Sequence, residues 1–378
     1  MPGIALAARM RRLVCGLSAG LLAAALGPAM IGDAHAADLK GLDRMVETYR
    51  TRPVFTPPAP AFNAKACVAG KSMMAIPASS SVPFMNEIQE GMQKLAQQAG
   101  LKMTEWRNQG QNSQWIQGID AAINAKDTLI DLCCGLDPTT LAPQLTEAHK
   151  AGLKIVASHM TGFGYKAPGY VDAQVPADFY KVGQLLAAWT LVRTHGAPDV
   201  LVVTSDEIVS TTPLVAGFRK TMAAQCPSCK VRYINVPVPD WATRIQTSLQ
   251  SALLSDPKVN YIVPIYDSMA QFVIPALRLT GKTGSVKVAT FNGTPFALDM
   301  VRNGEVEMDI GESLDWIAHA IMDADMRLIC GMSAPADPKI PLYIFDASNV
   351  KDAGVPARTS TGYGDSYVTG YRKLWGME

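Results

Sequence analysis

The chain has 378 residues, 48% of them hydrophobic and 18% charged, with a net charge of +1. Arg9, Arg11, Arg12 and Asp33 contribute +2 of that charge, which leaves the chain after residue 36 near −1. This balance excludes partners that select for clustered positive charge, such as nucleic acid and acidic membrane surfaces, and the remaining length suits two domains of ordinary size.

The chain opens with the basic cluster Arg9 to Arg12, an apolar run from Leu13 to Leu26, Pro28, and the small-x-small step Ala34-His35-Ala36. These parts predict a signal peptide over 1–36, cut after Ala36. The run is shorter than the roughly 20 apolar residues a membrane span needs. Cys15 follows Arg12-Leu13-Val14, which lacks the small residue of a lipobox. Later segments are not apolar for long enough to insert, so a soluble protein outside the cytoplasm is expected.

Residues 37 to about 50 predict a short helix carrying Leu39, Leu42, Met45 and Val46. Arg52-Pro53-Val54-Phe55-Thr56-Pro57-Pro58-Ala59-Pro60 follows, and its proline density predicts an extended arm. The span 37–66 is therefore read as an N-terminal extension.

From Lys71 the hydrophobic pattern alternates between two periods. Strand-like runs are Met73–Ile76, Leu129–Leu132, Lys154–Ala157, Val200–Val203, Tyr261–Ile265 and Val286–Thr290. Helical spacing places Met85, Ile88, Met92, Leu95, Ala96 and Ala99 on one face, closed by Gly100. A second helix carries Ile116, Ile119, Ala122 and Ile123, with Ser113 as its expected cap. A third carries Ile245, Leu249, Ala252 and Leu253. Strand–helix repetition of this kind predicts parallel sheets covered by helices. Ligands of such sheets sit beyond the carboxyl ends of the strands.

Six cysteines remain after the leader: Cys67, Cys133, Cys134, Cys226, Cys229 and Cys330. Outside the cytoplasm they can pair, and Cys226-Pro227-Ser228-Cys229 is the expected bridge. Cys134 either pairs with Cys133 or lines a pocket. A zinc site needs about four ligands, and the single Cys-x-x-Cys does not supply them. Gly16-Leu17-Ser18-Ala19-Gly20 matches a hydrolase elbow but lies in the leader. Gly70-Lys71-Ser72 lacks the earlier glycine of a phosphate loop, since position 65 is Lys65. The default for His149, His195 and His319 is a structural or surface role.

The segments after the strands are then informative. Ser79-Ser80-Ser81-Val82-Pro83-Phe84 follows the first, and Pro83 suits a first helical turn. Cys133-Cys134-Gly135, Ser158-His159-Met160, Thr204-Ser205-Asp206, Asp240-Trp241, Tyr266-Asp267-Ser268, Phe291-Asn292-Gly293-Thr294-Pro295 and Gly311-Glu312-Ser313 follow in order. In this order, with Asn303-Gly304-Glu305-Val306, the chain from about Lys71 to Asn349 resembles the ribose-binding-protein-like branch of periplasmic solute-binding proteins.

That resemblance implies two Rossmann-like lobes, α/β throughout, with parallel sheets flanked by helices and joined by three crossing strands. The expected lobes are 67–173 plus 313–343, and 174–312 plus 344–378. It further implies a monomer that closes on a small-molecule ligand and delivers it to the membrane permease of an ABC importer, with a chemoreceptor or sensor kinase as the alternative recipient. Neither a cofactor nor catalysis is implied.

Sugar binders of this branch carry an Asp-Arg pair where this chain has His159 and Met160. They carry an arginine within the stretch that reads Thr211–Phe218 here, an aspartate at Asn292 and a neutral polar residue at Glu312. The expected ligand contacts are accordingly Ser79, Ser80, Phe84, Cys134, His159, Trp241, Tyr266, Asn292 and Glu312. Aromatic faces accept both sugar C–H surfaces and cations. A polyol, a modified sugar and a small cationic compound all remain open. An exported enzyme using Ser79 to Ser81 with His159 lacks a third orienting group.

Overall fold

A computed structural model describes residues 37–378; the expected leader lies outside them. The extension forms α1 (Leu39–Thr48) and α2 (Ala64–Val68). The first sheet and its helices follow: β1 (Ser72–Pro77), α3 (Pro83–Ala99), β2 (Lys102–Glu105), α4 (Asn112–Ala125), β3 (Leu129–Cys133), α5 (Ala142–Lys150), β4 (Lys154–Ser158) and β5 (Ala173–Val175). The chain then builds α6 (Phe179–Arg193), β6 (Asp199–Thr204), α7 (Thr211–Gln225), β7 (Lys230–Asn235), α8 (Gln246–Ser255), β8 (Tyr261–Pro264), α9 (Ala270–Leu279), β9 (Lys287–Asn292), α10 (Pro295–Arg302) and β10 (Met308–Gly311). It ends with α11 (Leu314–Ile329), β11 (Tyr343–Asp346) and α12 (Ser366–Leu374).

The first sheet runs β2-β1-β3-β4-β5, all parallel, and the second runs β11-β10-β9-β8-β6-β7 with only the β10–β11 pair antiparallel. Each of the six apolar runs is a strand. The central strands β1, β3, β4, β6, β8 and β9 are buried along nearly their whole length, as sheets covered on both faces require. Pro83 opens α3 where its missing N–H is not needed, and Gly100 closes it in the left-handed conformation (φ 80°). Ser113 is not a cap: α4 starts one residue earlier, after Gln111.

Helices α6 and α7 pack in backbone contact. A Cβ on Gly183 would stand 1.9 Å from the Leu214 carbonyl oxygen, and one on Gly217 would stand 2.1 Å from that of Tyr180. The absence of side chains at these two positions sets the approach.

The chain passes between the sheets at 176–178, 312–313 and 330–342, the three joining segments. It also passes at 49–63 and 347–365. Helix α1 lies against α6 on the second lobe, and α2 lies against α11 on the first. The proline-rich segment between them is packed down. Phe55 sits against Trp316 and Tyr371 with ring centroids 5.9 and 5.0 Å away. The Pro60 carbonyl accepts from Arg327, a buried guanidinium that also bonds Asp323 and lies over Phe62. Helix α12 packs on α11 through bonds from the Tyr367 hydroxyl to Asp315 and from the Trp375 indole N–H to Asp323. The C-terminal helix thus lies with the first lobe, whereas sequence alone grouped 344–378 with the second. Aromatic side chains of α12 bury themselves in the polar notch of α11, which no local periodicity reports.

Bridges join Cys226 to Cys229, Cys133 to Cys134, and Cys67 to Cys330. The last ties α2 to the end of α11; it was not anticipated, because its partners are 263 residues apart in sequence.

Candidate functional site between the strand ends

The carboxyl ends of β1, β3 and β4 on one lobe face those of β6, β7, β8 and β9 on the other. Between them lies a narrow cavity of about 30 Å³ lined by Val82, Phe84, Met85, Cys134, His159, Phe179, Ile208, Ser210, Trp241, Tyr266, Ser268 and Asn292. A single water occupies roughly 10–15 Å³ on this measure, so a ring-sized solute needs the lobes to part slightly. A wider groove of about 420 Å³ lies outside, between Gly162–Tyr165 and Gly331–Ala336. Its polar floor is already satisfied: Lys154 bonds Asp172, and Gln174 bonds Thr161 and Tyr165. The strand-end cavity is the better site despite its size.

Six expected residues line this cavity: Phe84, Cys134, His159, Trp241, Tyr266 and Asn292. Ser79 and Ser80 do not. They build the turn before α3, where the Ser79 and Ser81 hydroxyls pair at 2.8 Å and Ser80 holds Asn108. Glu312 stands behind the wall, its Oε2 2.7 Å from His159 Nε2. Both groups are almost completely buried. His159 is therefore committed to Glu312 and not to a serine, so the imagined serine–histidine pair is not assembled.

The aromatic side chains present ring faces to the cavity and turn their polar tips away. The Tyr266 hydroxyl pairs with Ser210 and Thr211 at 2.9 Å each, and burial pushes its pKa up to about 12. The Trp241 indole N–H donates to the Ser205 hydroxyl and the Val236 carbonyl. The two rings stack at 6.5 Å with a 29° interplanar angle. Opposite, Phe84 and Phe179 flank the His159 imidazole at 5.3 Å each. Trp241 opens a five-residue π-turn before α8, a geometry frequent at functional sites.

Cys134, His159 and Asn292 all have positive φ (68°, 47° and 141°). Non-glycine residues rarely adopt it, and such strain concentrates where function over-determines the backbone. Each stands immediately after or at the end of a strand and is re-aimed into the cleft. Sequence reasoning missed Val82, Met85, Phe179, Ile208, Ser210 and Ser268 as lining. Phe179 was findable, because it opens the helix after the first joining segment; Ile208 was not, because it lies mid-loop.

Beneath the second lobe's strand ends lies a buried acidic group. Asp267 accepts from the backbone N–H and hydroxyl of Thr294, and Asp309 accepts from the Gly293 N–H. Burial pushes Asp267 up to about 7; burial and the Asp267 charge hold Asp309 well above the ordinary carboxylate range. The Tyr363 hydroxyl reaches the same place, close enough that a Cβ on Gly311 would stand 2.1 Å from it.

Against this geometry the comparisons are consistent. The periplasmic binding protein domain model matches residues 73–332. The chain belongs to that family of periplasmic binding proteins, whose members bind solutes in the periplasm. No curated protein sequence matches it. Among solved structures, it is similar to an ABC transporter solute-binding protein from Agrobacterium vitis bound with α-D-tagatopyranose (TM-score 0.69, 19% identity, 77% of this chain and 99% of that one). It is also similar to a 5-methylthioribose transporter solute-binding protein from Thermotoga lettingae (0.70, 17%, 83% and 95%). A third is a solute-binding protein from Burkholderia graminis in complex with D-arabinose (0.67, 20%, 75% and 97%).

Proposed function

We propose that this chain captures a small neutral solute of the sugar or polyol kind between its lobes and delivers it to the permease of an ABC importer. One observation carries the reading. The faces of Phe84, Phe179, Trp241 and Tyr266 enclose a single cavity with Asn292, and residues of both lobes bound it. The similar solved structures hold neutral sugars, which agrees. A cationic ligand is less well served, because Glu312 is engaged by His159. A solute touching both lobes binds the closed arrangement better and shifts the population by that difference. The protein acts as a monomer, without cofactor or turnover, after loss of the leader at Ala36.

A thermal-shift screen of the processed protein against sugars, polyols and amines tests this. At about 100 times its dissociation constant a ligand adds about 2.7 kcal/mol, or several degrees in Tm. The expected result is a neutral solute that raises Tm, binds one to one and is recovered unchanged. A shift with amines alone, or conversion of the solute, would overturn the reading. Loss of solute uptake on gene deletion supports the importer; loss of chemotaxis or signalling with intact uptake assigns the sensory role instead.

A further inference from the structure

The wall of the cavity is poor in available hydrogen-bonding groups. Tyr266, Trp241 and Ser210 have their polar atoms tied behind the surface, and His159 commits its Nε2 to Glu312. The Ser268 hydroxyl reaches Asp267 at 3.4 Å. The Asn292 amide has no hydrogen-bond partner among the described residues and is the main polar group left to face a ligand. A fully hydroxylated ring would bury several hydroxyls without partners, each lowering affinity.

The remaining surface is apolar, and part of it is Cys134, which is bridged to the adjacent Cys133 behind it. A disulfide carries no donor and accepts only weakly, and its sulfurs are polarizable. Cys134 is held in the left-handed region, and Gly135 beyond it closes on the opposite lobe: a Cβ there would stand 2.7 Å from Ile208. The bridge therefore sits on the seam where the lobes meet over the cavity.

We propose that the Cys133–Cys134 disulfide is an apolar floor for the ligand, and that the preferred solute is a sugar or polyol deoxygenated or alkyl-substituted on one face. This rests on the neutral-solute reading above. It implies that reduction of this bridge weakens capture, because two thiols replace a fixed face.

The test is calorimetric titration of the processed protein with matched pairs: D-ribose against 5-deoxy- and 5-methylthio-D-ribose, and D-galactose against its 6-deoxy counterpart. The less hydroxylated member of at least one pair is expected to bind tenfold or more tighter. Equal or tighter binding by the fully hydroxylated members overturns the proposal and leaves neutral-solute capture standing. Binding of neither overturns both. In parallel, peptide mapping after alkylation should find Cys133 and Cys134 joined; free thiols there overturn the floor. The C133S/C134S protein should lose about tenfold in affinity for the preferred member, and the apolar C133A/C134A protein clearly less. The second pair keeps the test informative if the serine pair fails to fold. Wild-type affinity in both pairs overturns the floor.

Discussion

At the residue scale, the buried acids give the protein a pH signature. A carboxyl whose folded pKa is raised binds its proton more tightly folded than unfolded. Its stabilisation is complete below the unfolded value and is lost as pH rises through the folded one. Asp267 and Asp131, both pushed up to about 7 by burial, and Asp309 and Asp325, held well above the ordinary carboxylate range by burial, all act in this sense. His319, pushed down by burial, acts oppositely, but only below its ordinary 6.5. As pH rises from about 6.5 through about 7, Tm should therefore fall. Asp309→Asn keeps the acceptor for Gly293 and cannot ionise, so it should flatten that fall in differential scanning calorimetry; an unchanged slope would remove Asp309 from the account. None of this was visible in sequence. Asp309 reads there as a polar break in a short apolar run, and only the paired strands bring it to Asp267. Glu312 was legible as the unusual acid at the last strand end, but its partner, His159, is 153 residues away.

At the element scale, α6 and α7 offer a sharp case. Alanine in place of Gly217 gains about 1 kcal/mol in helix propensity. It also puts a methyl 2.1 Å from a backbone carbonyl that cannot swing aside. Overpacking of that kind costs typically 1–3 kcal/mol and more against backbone, so the clash wins. Gly217→Ala should lower Tm by several degrees in circular dichroism melts, and a raised Tm would show that the helices can separate freely. The same burial logic explains which elements sequence revealed. The buried central strands other than β10 are continuous apolar runs and were legible; β10 is broken by Asp309. Strands β2, β5, β7 and β11 stand at the sheet edges. The first three are partly exposed and mix polar with apolar residues, so their pattern is weak. The cavity was legible to the extent that it uses strand ends; the loop carrying Ile208 and the serine turn at Ser79 and Ser80 were not separable without coordinates.

At the scale of the whole molecule, the family's domain spans 73–332, and the segments outside it run between the lobes. Phe55 anchors one of them over Gly370, where a Cβ would stand 2.2 Å from its ring. Burying a Phe fully is worth about 3–5 kcal/mol against Ala, and Phe55 is half-buried. Phe55→Ala should therefore cost about 2 kcal/mol in urea unfolding, and no loss would mean the strap is decorative. The two-sheet body and the aromatic cleft converge on capture between lobes. Titration of the solute found by screening, into wild type and Trp241→Ala, tests that claim most directly. One-to-one binding with at least a tenfold loss in the variant, at matched helical content, is the predicted result. Equal affinity in the two proteins would contradict it.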